Sequence, residues 1–202
     1  MIGEKSKSIS LGDVVRSCCR GKKSILGKGV VEGKKAWAGQ SGSNEKTQLD
    51  PGWPFGAQAV EVEVEEETGS VKVLRVVSAH DLGKAINPQA VAGQIEGGVV
   101  MGMGYALFEE LCFDEGRITN ASLGDYKVPT PKETPRIQSV IIEKPYLSEP
   151  YGAKGVGEVS LFGIAPAIAN AVAAATGIRI KDLPITAEKI LAARKKITFN
   201  HG

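Results

Sequence analysis

The sequence has few of the residues that usually mark disulfide or metal chemistry. Its 202 residues include three cysteines and two histidines. Cys18 and Cys19 are adjacent and Cys112 stands alone, so neither a CxxC pair nor a zinc spacing is present. His80 and His201 have no partner at a metal-ligand spacing, and we assign a role to neither. We therefore expect reduced thiols, a cytoplasmic location and no metal site built from side chains.

Strong net charge and long apolar runs are also lacking. The formal net charge is +2, with lysines scattered among glutamates, which argues against a nucleic-acid partner. Residues 1–20 are polar and do not resemble an export signal. The most apolar stretch, residues 159–175, is interrupted by serine, glycine, proline and asparagine, a pattern typical of a buried helix. We expect no membrane partner.

Alternating and helical patterns do occur, and they predict a mixed fold. Within residues 57–83, valines at 60, 62 and 64 alternate with glutamates at 61, 63 and 65, and a turn follows at 67–69. This pattern predicts a hairpin with one face in water. Asn87 followed by Pro88 is a typical helix start, and the helix is expected to reach about residue 110. Another short helix is expected to begin near Thr186.

These patterns predict an α+β fold in which strands over about 57–80 and 117–143, mainly antiparallel, pack against glycine-rich and alanine-rich helices over 88–110 and 160–176. Two domains are expected. Residues 1–50 carry a helix at 11–19 and most of a long loop at 36–55, and residues 51–202 form the main domain.

Two glycine-rich segments need a reason beyond secondary structure. The predicted helix over 88–110 contains five glycines, each costing about 1 kcal/mol relative to alanine, so another backbone or a ligand must lie against it. The second segment, GAKGVGE at 152–158, precedes a helix, and such a turn can hold an anion or place a side chain in a crowded pocket. It matches neither GxxxxGK[ST] nor GxGxxG. The simpler interpretation of Glu158 is helix capping.

The segments together resemble the molybdenum-binding subunit of the xanthine dehydrogenase and aldehyde oxidoreductase family. That family has a D-x-G-x-x-x-N-P-x-x-x-x-G-Q-x-E-G segment and a closing G-x-G-E. The matching residues here are Asp81, Gly83, Asn87, Pro88, Gly93, Gln94, Glu96, Gly97, Gly155, Gly157 and Glu158. The resemblance covers about residues 50–195, the carboxy-terminal part of that subunit.

The resemblance implies roles for six residues. In the family, the glutamate at the position of Glu158 is the general base that takes a proton from the attacking hydroxyl, and burial among glycines and apolar residues would make it a stronger base. Gln94 resembles a glutamine that hydrogen-bonds the pterin, although such a glutamine can also bridge two helices. The backbone of Lys154, Gly155, Val156 and Gly157 is expected to face the metal region.

The rest of such a subunit is missing, so the chain is interpreted as a fragment, a split subunit or a relic. The implied cofactor is molybdopterin, and whether it is the cytosine dinucleotide form stays open. It would be shared with an N-terminal molybdopterin-binding chain or domain. Iron–sulfur and flavin subunits would complete the complex. The chain alone is expected to be inactive, to carry no molybdenum and to expose apolar surface.

Two other functions stay open, a non-catalytic structural or interaction module and a phosphate-binding protein using residues 154–157. The small-molecule substrate of the leading interpretation is a heterocycle or an aldehyde. We also expect the surface around 93–104 and 152–158 to be contiguous and concave, with the Cα atoms of Gln94 and Glu158 within about 20 Å.

Overall fold

The computed structural model describes three parts of the chain, residues 10–21, 52–146 and 149–199. Most of the predicted loop at 36–55, together with His201, lies outside the described residues. Within the described ranges, no helix combines the length and apolar character needed to cross a bilayer.

The chain divides into two compact units, residues 1–32 and 33–202. In the first unit the described element is helix α1, Leu11–Arg20, which confirms the helix predicted at 11–19. Ser10 begins this helix, because its Oγ accepts a hydrogen bond from the Asp13 backbone N–H at 3.2 Å. All other described elements belong to the second unit.

A three-stranded sheet forms the centre of the second unit, in the order Phe55–Val64 (β1), Val71–Asp81 (β2) and Arg136–Ile142 (β5). Strands β1 and β2 form the predicted antiparallel hairpin. Its valines at 60, 62 and 64 are half-buried while the glutamates at 61, 63 and 65 are exposed, which confirms that one face lies in water. Gly69, with φ of 74°, ends the connecting turn.

Strand β5 pairs with β2 in parallel, whereas β1–β2 and a short hairpin at 113–118 are antiparallel, so the described strands are mainly antiparallel as expected. A parallel neighbour requires a long crossover connection, and helix α2, Pro88–Leu107, lies within that connection. Before β5, the region of strands predicted from about residue 117 contributes only to a short hairpin of β3, Phe113–Asp114, and β4, Arg117–Ile118. The α+β fold class is confirmed.

The helices of the second unit cover one face of the sheet. Helix α2 begins at the predicted cap, where Asn87 Oδ1 accepts a hydrogen bond from the Ala90 backbone N–H at 3.1 Å. Helix α3, Ile164–Thr176, starts four residues later than predicted because residues 159–163 form a turn, and α4 spans Ala187–Phe199.

The main hydrophobic core lies between the sheet and these helices. Its buried members are Val73, Val76, Val99, Met103, Ala106, Ile164, Ile168, Val172, Ile178, Ile185 and Ile190. A smaller cluster of Leu82, Ala85, Val91 and Ile95 lies at the end of β2 and the start of α2. This smaller cluster supports the segments that carry the predicted site residues.

Candidate functional site

The segment that carries Glu158 is held against the residues that follow β2. We call residues 153–160 the Glu158 loop. The Lys154 backbone N–H donates to the Leu82 carbonyl at 2.9 Å, and the Lys84 backbone N–H donates to the Gly152 carbonyl at 2.8 Å. Tyr151, just before the loop, has φ of 57°, a left-handed conformation that is uncommon for residues other than glycine. The loop therefore starts from a tightly fixed turn.

A buried ion pair fixes the first end of the Glu158 loop. Lys154 Nζ lies 2.8 Å from Asp81 Oδ2, and the two side chains are only 6% and 13% exposed. The hydrogen bond from Lys154 lowers the pKa of Asp81, so this carboxylate stays charged at neutral pH. Lys154 Nζ also lies 5.8 Å from the centre of the Phe55 ring, within the range of a cation–π contact.

Ser160 fixes the other end of the loop and links it to helix α2. Its Oγ donates to the Gln94 carbonyl at 3.2 Å, and its own carbonyl accepts a hydrogen bond from Gln58 Nε2 at 2.6 Å. Ser160 is fully buried. Because Ser160 is two residues from Glu158, the Cα atoms of Gln94 and Glu158 lie within about 16 Å of each other. The predicted limit of 20 Å is therefore met.

A chain of buried polar groups extends from Gln58 into the sheet. Gln58 Nε2 also donates to Ser78 Oγ at 2.9 Å, and Ser78 Oγ lies 2.8 Å from His80 Nε2. His80 is 1% exposed, and burial lowers the pKa of its imidazole, which is therefore neutral at pH 7. Its Nδ1 has no hydrogen-bond partner among the described residues.

The other side of α2 faces open space. A Cβ added at Gly93 or Gly97 would meet no described atom within 4 Å, and the same holds for Gly155 and Gly157 in the Glu158 loop. Gln94 and Glu158 are both exposed. The burial of Glu158 that the sequence analysis expected is therefore not provided by the described part of this chain, because the glycines around it leave the loop uncovered.

Three of the six predicted site residues line one pocket. This pocket of about 190 Å³ is bounded by Gln94, Lys154 and Val156, together with Leu82, Lys84, Ala85, Ile86, Asn87, Ala90, Val91 and Ala153. Gly155, Gly157 and Glu158 do not line it but lie on the adjoining exposed part of the loop. The pocket therefore joins Gln94 of α2 to the first part of the Glu158 loop. The wider concave surface around 93–104 and 152–158 stays a prediction.

The backbone of the Glu158 loop is less free than expected. The Lys154 N–H is already bonded to Leu82, and Val156 packs against the smaller hydrophobic cluster. Of the four residues expected to face the metal region, Gly155 and Gly157 alone have an open environment in the described structure.

The residues that hold the loop, Gln58, Ser160 and Asp81, were not among the predicted site residues. Gln58 lies on the face of β1 that otherwise carries half-buried valines, and Ser78 and His80 lie on the buried face of β2. A polar residue on an apolar strand face was a usable signal, because such a group needs a hydrogen-bond partner inside the protein. Asp81 was named only as a residue matching the family segment, and its side chain also accepts a hydrogen bond from the Gly83 backbone N–H at 3.2 Å.

The described residues offer no group of three His, Cys, Asp or Glu side chains that is able to hold a metal ion. A metal at this surface would have to arrive with its own ligands. The open glycines and the exposed amide of Gln94 are instead suited to a flat, hydrogen-bonding molecule that approaches the backbone closely.

Comparison with known proteins gives a consistent answer. The family model described as molybdopterin cofactor-binding domain matches residues 1–135. Over 141 residues the chain is 42% identical to a probable xanthine dehydrogenase subunit of Bacillus subtilis, covering 70% of this chain and 19% of that protein. Over 140 residues it is 41% identical to the aldehyde oxidoreductase molybdenum-binding subunit PaoC of Escherichia coli, covering 68% of this chain and 19% of that protein.

Among solved structures, the aldehyde oxidoreductase of Desulfovibrio gigas matches with a TM-score of 0.65 and 38% identity, covering 70% of this chain and 15% of that one. The chain thus spans about a fifth of the length of the curated relatives it matches. The chain belongs to the molybdopterin cofactor-binding family of the xanthine dehydrogenase and aldehyde oxidoreductase molybdenum-binding subunits.

Proposed function

We propose that this chain provides the carboxy-terminal part of the active site of a molybdenum hydroxylase. In this proposal residues 51–202 form the cofactor-binding part, Glu158 is the general base, and Gln94 with residues 154–157 contributes to the molybdopterin site. The rest of the site belongs to an N-terminal molybdopterin-binding chain or domain. The substrate is a heterocycle or an aldehyde, two classes that appear in the names of the relatives.

The observation that carries the proposal is the open surface shared by α2 and the Glu158 loop. Gly93 and Gly97 flank the exposed Gln94 in sequence, Gly155 and Gly157 precede the exposed Glu158, and a Cβ added at any of these glycines would meet no described neighbour within 4 Å. Glycines in a helix interior lower its stability, and packing within the described chain does not account for Gly93 and Gly97. A planar cofactor lying against the backbone would account for them, and Gln94, which follows Gly93, also lines the pocket with Lys154 and Val156.

When bound, molybdopterin would supply a metal centre that accepts two electrons and activates water. Within that chemistry, Gln94 holds the edge of the cofactor, since its amide both donates and accepts hydrogen bonds. Glu158 accepts the proton that the nucleophilic oxygen loses as it attacks the electron-poor carbon. Closure of the surface by the rest of the subunit would remove water from this carboxylate and strengthen it as a base.

Exposed apolar side chains next to the loop support a missing partner. Tyr151 and Phe162, on either side of the loop, are 86% and 66% exposed. Phe55, which contacts Lys154, is 69% exposed, and Ile86 in the pocket wall is 64% exposed. Large exposed apolar groups near one site are typical of a docking surface. We propose that the N-terminal part of the subunit covers them and that iron–sulfur and flavin subunits complete the enzyme.

Metal analysis tests the proposal. The 202-residue chain purified alone should contain no molybdenum, because half a pocket does not offset the loss of translational and rotational freedom, about 4–15 kcal/mol. The chain co-expressed with the remainder of the subunit should contain about one molybdenum per complex and hydroxylate a heterocycle or an aldehyde. Stoichiometric molybdenum in the chain alone would show that it holds far more of the site than we propose.

The two alternatives make different predictions in the same experiment. A structural relic would co-purify with the remainder of the subunit without gaining molybdenum or activity. A phosphate-binding protein would bind nucleotide alone, but the lysine that such a loop would use is buried in an ion pair with Asp81. This contact is the reason that we place phosphate binding last.

A further inference from the structure

We propose that two anchors, one on each side of Glu158, position its carboxylate, so that Asp81, Gln58 and Ser160 are positioning residues. This inference rests on the proposed role of Glu158 as the base. The first anchor is the Asp81–Lys154 ion pair, and the second is Ser160 with its bonds to Gln58 and Gln94.

The need for anchors follows from the loop between them. Residues 155–159 include two glycines with no described neighbour within 4 Å of an added Cβ, and Glu158 itself is exposed. A chain of this kind has high conformational freedom. Catalysis by a positioned base, in contrast, requires the carboxylate to stay close to its productive geometry. The two ends of the loop are therefore the places where its position is set.

Both anchors are built to be rigid. The first is nearly excluded from water, and Asp81 is further held by the Gly83 backbone N–H. In the second, Gln58 Nε2 bridges Ser160 and Ser78, which belongs to the central strand β2. Breaking a buried ion pair or a buried hydrogen bond leaves an unpaired polar group, which makes such contacts costly to open.

The first test is trypsin cleavage of the full 202-residue chain after Lys154. Cleavage there requires the loop to open and expose a buried side chain, so its rate reports on both anchors. Ser160→Ala and Gln58→Met should accelerate this cleavage about fivefold. Asp81→Asn should accelerate it by about fiftyfold or more. Cleavage after the exposed Lys127 should not change and serves as the internal reference.

Matched controls separate the anchors from general destabilisation. Ser139→Ala removes a buried hydroxyl that has no partner in the described structure, and Glu66→Gln removes an exposed ion pair with Arg194. Neither should change cleavage after Lys154 relative to Lys127. Equal acceleration by Ser160→Ala and Ser139→Ala would overturn the second anchor. An unchanged rate in Asp81→Asn would overturn the first.

The second test uses the enzyme assembled with the remainder of the subunit. Ser160→Ala and Gln58→Met should lower kcat about tenfold or more while KM and molybdenum content stay at the wild-type values, because the carboxylate is displaced without loss of the cofactor. Asp81→Glu, which keeps the charge, should retain more activity than Asp81→Asn. If Asp81→Asn does not fold, Asp81→Glu tests the first anchor and Gln58→Met tests the second.

The two tests distinguish the anchors from the proposed function. Faster cleavage with an unchanged kcat would show that the anchors hold the loop without positioning Glu158, and the inference would be wrong. A wild-type assembly that binds no molybdenum and shows no activity would instead count against the proposed function. The positioning of Glu158 as a base would then be rejected with the proposed function, although the cleavage rates would still measure how firmly the loop is held.

Discussion

Helix α2 contains two pairs of glycines with opposite surroundings. Gly98 and Gly102 face the turn before α3: a Cβ at Gly98 would collide with Ser160 Oγ, and one at Gly102 would lie 2.6 Å from Ile164 Cβ. Gly93 and Gly97 face a surface where no described atom lies within 4 Å. All four residues are glycines of the same helix, and they differ only in the side of the helix on which they lie.

The difference shows that a glycine run can serve two purposes in one helix. On the packed side, glycine lets another backbone approach closely, so substitution should lower stability. On the open side, glycine allows no closer packing within the described chain, and each glycine makes the helix about 1 kcal/mol less stable than alanine would. In the proposed function, the cofactor lies against the open glycines. Substitutions should thus affect folding on one side and activity on the other.

The largest effect is expected for Glu158→Gln on the open side. The amide keeps the shape of the side chain and loses the base, so activity of the assembled enzyme should fall by about 10²–10⁴-fold with molybdenum content retained. Because Glu158 is exposed, the urea midpoint of the chain should hardly change. Steady-state kinetics, metal analysis and urea unfolding measure the three quantities.

Glu63→Gln is the matched control for this substitution. Glu63 is exposed on the water-facing side of β1, and its change should leave both activity and stability as in the wild type. Turnover of Glu158→Gln near the wild-type value would remove the general-base assignment. A large loss of stability in Glu158→Gln would mean that the open side also supports folding.

The second effect is expected on the packed side of α2. Gly102→Ala should lower the free energy of unfolding by about 2 kcal/mol, because the new methyl group is forced against Ile164 and the Leu161 carbonyl. The gain in helix propensity offsets only part of this strain. Urea unfolding of the isolated chain measures it. A stabilised Gly102→Ala protein would show that α3 moves away at little cost, and the contrast between the two sides would fail.

Much of the fold was predictable because it depends on local patterns. Alternating valines and glutamates set the faces of the β1–β2 hairpin, and Asn87 with Pro88 set the start of α2. The parallel pairing of β2 with β5 was missed, since strand direction depends on the route of the whole chain between them. The start of α3 was also missed, because the turn at 159–163 is stabilised by contacts of Ser160 with Gln58 and α2.

The candidate site was predictable to a similar extent. Gln94, Lys154 and Val156 were named from the sequence, and they line one pocket. The contacts that hold this region were not, because Gln58 and Ser160 are 102 residues apart and Asp81 and Lys154 are 73 apart. Local patterns carry no information on such partners. The burial of Glu158 was wrong for the described chain for a related reason, since the groups that would cover it are not in the described residues.

The third effect is a dependence of stability on pH through His80, which is linked through Ser78 and Gln58 to Ser160 on the packed side of α2. Burial lowers the pKa of His80 in the folded state, so the unfolded chain binds more protons once the pH falls to the ordinary value of about 6.5. Stability from this group is therefore present above pH 6.5 and is lost as the pH falls below it. The loss is at most about 1.4 kcal/mol per pH unit.

Urea unfolding of the wild type and His80→Gln at pH 7.5 and 5.5 measures this effect. The glutamine keeps a hydrogen-bonding group near Ser78 but does not titrate, so the difference between the two proteins should shrink at the lower pH. The Asp81–Lys154 pair does not contribute in this window, because the pKa of Asp81 is lowered from a value already below it. A difference that stays constant between the two pH values would show that His80 is not protonated on unfolding.

The smallest effect is expected for Gly97→Ala on the open side, and its sign is the most informative. A Cβ at Gly97 meets no described atom within 4 Å, so the substitution should raise the free energy of unfolding of the isolated chain by up to about 1 kcal/mol through helix propensity. In the assembled enzyme the same methyl group would lie where we propose that molybdopterin approaches the backbone, and the molybdenum content should fall. Urea unfolding of the chain measures the change in stability, and metal analysis of the complex measures the change in molybdenum content. Gly177→Ala is unsuitable as a control because Gly177 has φ of 72°. If the Gly97→Ala complex kept its full molybdenum content, the open side of α2 would be covered by protein or solvent instead of cofactor. A methyl group in a cofactor contact would have lowered the molybdenum content.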